Sequence, residues 1–175
     1  MKVIKIILII LIIAALVLLA LHLMGKTKRT IETVTHIDAP PEAVWQALTD
    51  FDSYPAWNSP LVYTKAPGAV GEGFSFHFVN EKGEKGMEIS PTLKTMDLEN
   101  GLSWQGSLLV PGIFDGTHYF RVEAAPEGGS TLTHGEAFSG ILIPFTGAVF
   151  TETESHFIAF NQRLKQQVES APPAP

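Results

Sequence analysis

The chain has 175 residues, no cysteine and a formal net charge of −6, with 45% hydrophobic and 17% charged side chains. That is about one domain's worth of sequence, too apolar to stay disordered and too charged for a polytopic membrane protein. The missing cysteine excludes disulfide scaffolds, zinc–thiolate and iron–sulfur sites, and cysteine nucleophiles.

The charge divides along the chain. Lys2, Lys5, Lys26, Lys28 and Arg29 precede any acidic residue, and the remaining 7 basic and 18 acidic residues leave the body at −11. A body that acidic repels phosphate backbones, so nucleic acid is a poor partner. Between the first basic residues lies an apolar run. Ile6–Leu21 is unbroken, and residues 3–24 extend it with only Lys5 and His22 interrupting. Roughly 20 such residues cross a bilayer core. A cleaved secretory signal is the competing reading, but Leu21-His22-Leu23-Met24-Gly25-Lys26 offers no small-x-small site. The segment is read as an uncleaved single-pass anchor, residues 1–29 with a short basic linker. Positive charge flanks both sides, so the charge bias sets no orientation.

From Thr30 the period changes. Thr30–Ile37 is rich in β-branched residues and reads as a strand, with Ile31 and Ile37 in phase and Val34 out of it. Asp38 is placed as a cap, and Pro40-Pro41-Glu42 opens a helix whose apolar face is Val44, Trp45 and Leu48. Residues 50–60 hold a stop and a short helical turn. Strands follow at 61–66, 73–80, 84–96, 102–108, 116–125 and 131–139, separated by glycine-bearing turns too short for helical crossovers. Phe145 to about Ser170 has helical period, with Phe150, Phe157, Leu164 and Val168 in one stripe beside Phe160. Residues 171–175 read as a disordered Pro/Ala tail. The body is therefore one α+β domain over 30–170: a strand, two short helices, an antiparallel run of strands and a long helix.

Ile37-Asp38-Ala39-Pro40-Pro41-Glu42-Ala43-Val44-Trp45, then Leu48-Thr49-Asp50-Phe51 and Tyr54-Pro55-Ala56-Trp57-Asn58, resembles the opening of the START-like (SRPBCC) superfamily. The branch it is most similar to is the polyketide cyclase/dehydrase and lipid-transport group. Gly71-Glu72-Gly73-Phe74, Trp104 and Thr133–Gly140 extend the likeness. The resemblance implies a helix-grip fold, a curved antiparallel sheet wrapped around the C-terminal helix with an apolar pocket between. It does not imply one activity.

Strand alternation sorts the candidate lining residues. Phe74, Phe76 and Phe78 share a face, as do Trp104 with Leu102, Phe120 with His118, and Phe138 with His134 and Glu136. These faces, with Phe157 from the last helix, are expected to line the pocket as ligand-binding residues. His118, His134 and Glu136 then point inward together. Three readings stay open: a mutually satisfied polar cluster, a polar anchor for a ligand, or acid–base chemistry by Glu136 or His134, with a two-histidine, one-carboxylate metal site sharing that last reading. No catalytic residue is assigned firmly, and no metal or cofactor is expected. Gly68–Gly73 precedes a strand and lacks lysine, so it is no phosphate loop. Val110, Ile113, Phe114, Ile141, Leu142, Ile143 and Phe145 are apolar for loops; they read as a ligand gate, a membrane-contact rim, or residues packed on each other.

The leading expectation is a membrane-anchored domain that binds or transfers a hydrophobic small molecule. The alternatives are a cyclase/dehydrase-type enzyme on a hydrophobic keto substrate, and a stress or assembly factor gripping a protein partner.

Overall fold

The computed structural model describes residues 2–24, 27–80 and 82–170. The expected Pro/Ala tail at 171–175 and part of the basic linker lie outside these residues. Helix α1 (Lys2–Leu23) carries no buried residue. Its 22 residues rise about 33 Å, enough to cross a membrane by length and composition, as a signal sequence also would.

Strand β1 (Lys28–Ile37) buries Ile31 and Ile37 and leaves Val34 exposed, as its phase requires. Helix α2 (Pro41–Thr49) follows, but its cap departs from expectation. The N-cap position is Pro40, in extended conformation, with no side-chain bond. Asp38 sits too early to cap. Its carboxylate pairs with His36 Nε2 at 2.9 Å, and its N–H donates to Glu169 Oε1 at 2.8 Å. Pro41 has no N–H to be satisfied, so the first turn tolerates a missing cap.

After the short helix α3 (Tyr54–Trp57) come β2 (Leu61–Lys65), β3 (Ser75–Phe78), β4 (Thr92–Asp97), β5 (Gly101–Leu108), β6 (Phe114–Ala124) and β7 (Ser130–Ser139), then helix α4 (Gly147–Glu169). Five strands form an antiparallel sheet in the order β1-β7-β6-β5-β4. β2 and β3 make a separate pair, joined to the rest by isolated bridges such as Phe76↔Ile89. The single continuous sheet expected from the strand series is therefore split. The expected strand at 84–96 pairs regularly only from Thr92; before it Lys85 and Ile89 make isolated bridges to Val79 and Phe76, and Pro91 has no N–H to give a ladder.

Helix α4 packs on β1, β7, α2 and α3. Leu48, Leu93, Leu102, Leu132 and Leu164 are fully enclosed in the main core. Each such side chain contributes about 1.5–3 kcal/mol of transfer free energy. A second, smaller core of Ile31, Phe138, Ile143, Phe150 and Phe157 lies under the first half of α4.

Candidate functional site

A cavity of about 420 Å³ opens between the sheet and α4. Its wall takes Phe76, Trp104 and Phe120 from the larger core and Phe138 and Phe157 from the smaller, with half-exposed Phe78 further along it. That volume and a mainly aromatic and aliphatic lining, broken by polar groups such as His118, His134, Glu136 and Thr153, suit a small hydrophobic molecule. Of the ten residues expected to line the pocket, Phe74 does not. It is buried behind the wall, edge-on to Trp104 at 5.5 Å and stacked on Phe76 at 6.0 Å. Trp57, half-buried, packs on Tyr54 and Phe160 and is not part of the cavity lining.

The cavity's polar side is built by sheet register. Trp104 lies opposite His118 and His118 opposite Glu136, while one row along Phe120 faces His134 and His134 faces Thr33. Side chains in each row share a face, so two neighbouring antiparallel strands, β6 and β7, deliver His118, His134 and Glu136 together. Trp104 stacks flat on the His118 ring, centroids 4.3 Å apart and planes within 7°. Phe157 stacks on His134 at 3.9 Å. Gly116 leaves the space that the Glu136 carboxylate fills, since a Cβ there would collide with it.

Hydrogen bonds fix where the protons lie. Asn161, buried on α4, donates through Nδ2 to Thr33 Oγ1 at 3.0 Å and to Thr35 Oγ1 at 3.2 Å. Its Oδ1 is therefore an acceptor, and it takes the Nδ1–H of His134 at 2.7 Å. His134 Nε2 is then the ring's acceptor and receives Nε2–H of His118 at 2.8 Å. Burial first, and His118 second, hold His134 well below its ordinary pKa of 6.5 against the opposing pull of Asn161, so the ring is neutral. His118 Nδ1 lies 3.5 Å from Glu136 Oε2. The hydrogen-bonded series thus ends at the His118–Glu136 pair on the cavity wall. Among the described residues no three His, Asp or Glu side chains converge as a metal-binding group.

Asn161 is absent from the sequence expectations. Its signal was a polar residue four after Phe157 and three before Leu164, inside the apolar stripe.

A family model for polyketide cyclase / dehydrase and lipid transport matches residues 28–169. Comparison with curated proteins gave no match. Among solved structures, the chain resembles Ara h 8.0201 at 16% identity and TM-score 0.64, over 82% of this chain and 99% of that one. It is also similar to protein MLL2253 from Mesorhizobium loti (20% identity, TM-score 0.61, 82% and 99%). The Zhui aromatase/cyclase from Streptomyces sp. R1128 shares the fold at 14% identity and TM-score 0.60, over 81% and 94%.

Proposed function

We propose that this chain, which belongs to the polyketide cyclase/dehydrase and lipid-transport family, is a membrane-anchored module that binds and transfers a hydrophobic small molecule. The family and fold carry the coarser statement, a domain for hydrophobic ligands or for cyclase/dehydrase-type chemistry. The observation that favours binding is the cavity wall itself: a mainly apolar enclosure between helix and sheet, with the His118–Glu136 pair among its few polar groups. In such a wall the couple orients a ligand's hydroxyl or carbonyl while Phe76, Phe120, Phe138 and Phe157 enclose its apolar part. Glu136 and His134 act here as anchor and support. Helix α1 supplies the tether, which keeps the pocket close to membrane-resident ligands.

Native mass spectrometry of the full chain, released from detergent micelles, tests this. A bound organic mass lost on denaturation is the expected result. An empty protein that also fails to take up added fatty acids or sterols would refute the binding reading. The placement of Glu136 on the cavity wall also favours a second reading, in which its carboxylate removes a proton from a carbon beside a ligand carbonyl. Turnover of a keto substrate, abolished in Glu136→Gln with binding retained, would establish that enzyme instead.

A further inference from the structure

We infer that the apolar loop tips at one end of the domain rest in the lipid surface crossed by α1, so that the cavity mouth opens onto the bilayer. This builds on the anchor reading given above. The placement follows from register. Lys28 pairs with Ser139, Ser139 with Asp115 and Asp115 with Ser107, so the start of β1, the end of β7, the start of β6 and the end of β5 form one edge of the domain. The chain arriving from α1 enters at this edge. Five residue steps separate Leu23 from Lys28, a reach of at most about 18 Å. Thr27 is tied to the edge by its carbonyl, which accepts Gly140 N–H at 3.0 Å, and its hydroxyl lies 3.1 Å from His22 Nδ1.

The β5–β6 and β7–α4 loops project from that edge and present apolar side chains outward. Leu109 is 80% exposed, Phe145 69% and Val110 54%. Their neighbours Phe114 and Ile143 do pack inward. The tips are therefore displayed by loops that have already used their packing residues. The loops are also braced. Ile141 N–H donates to Gly112 O and Leu142 N–H to Ile113 O, each at 3.1 Å, and Asp115 Oδ2 accepts Gly112 N–H at 2.8 Å. Leu109 is held at φ 68°, a conformation a bulky residue rarely adopts, which turns its side chain to the outside.

Lipid is the occupant these features fit. Lys28 and Arg29 are exposed beside the tips, in a body otherwise strongly acidic, which suits anionic headgroups. The mouth shares this edge, since Leu108 and Val149 both line the cavity and stand half-exposed. A ligand leaving the bilayer would pass from acyl chains to cavity wall without crossing water.

The cysteine-free chain allows single labels. The full chain, carrying a polarity-sensitive fluorophore at Val110→Cys, Phe145→Cys, Leu11→Cys or Glu127→Cys, is reconstituted in phosphatidylcholine/phosphatidylglycerol vesicles. Quenching by spin-labelled lipid is expected at 110 and 145 at least about twofold above that at 127, which lies in the β6–β7 turn away from this edge. If position 11 is lipid-embedded while 110 and 145 stay open to aqueous iodide, the seating is wrong and the anchor stands. Tips shielded from iodide yet unquenched by lipid would mean a face covered by protein, and would overturn the inference. An aqueous position 11 would remove the anchor and the seating together.

Discussion

His134 stays neutral in the fold because both its ring nitrogens are committed, one as donor to Asn161 and one as acceptor from His118, with aromatic rings over its face. A histidine with a depressed folded-state pKa binds fewer protons folded than unfolded between the two values, so acid favours unfolding there. The stability it contributes is complete above about pH 6.5 and is lost as the pH falls from there toward its folded-state value. The denaturation midpoint in urea is therefore expected to drop between about pH 7 and about pH 5, and His134→Gln to flatten that dependence. Equal slopes for the two proteins would show that His134 is not the group responsible. Period-2 alternation was enough to place His118, His134 and Glu136 on one face. It could not show that His134 leans on Asn161, because that contact joins residues 27 apart on different elements.

At the scale of the elements, α4 is the piece that closes the cavity. Its stripe of Phe150, Phe157, Phe160, Leu164 and Val168 is buried against the sheet and α2, with Asn161 set among them. Leu164→Ala should cost about 2–5 kcal/mol, since it empties a fully enclosed site between rigid neighbours. Ile158→Ala, on the half-exposed face of the same helix, should cost less than about 1 kcal/mol. Urea denaturation of the two variants checks the contrast, and similar losses would mean that α4 is seated on a different face. The helical period made this stripe readable in advance. The split between the β2–β3 pair and the main sheet was not, because a strand pattern states which residues alternate and not which partner each strand finds.

Across the whole molecule, a +5 apolar amino-terminal segment precedes a −11 body. If α1 is a retained anchor, the chain should stay in the membrane pellet through an alkaline carbonate wash, and its intact mass should include residues 2–24. A soluble product lacking about 20 residues would identify a signal sequence instead. By itself the sequence determined the order of elements, the long apolar helix at the start, the family opening at Ile37–Asn58 and the inward faces of β6 and β7. All of these are written in local periodicity, in the two- and four-residue spacings that set which side chains share a face. Only the tertiary structure decided that Phe74 turns into the core while Phe76 meets the cavity, that Asn161 bridges Thr33 and His134, and that the loop tips share an edge with the end of α1. Those outcomes depend on how a helix registers over a bent sheet. Their partners lie as many as 128 residues apart, a distance over which no local pattern specifies contact.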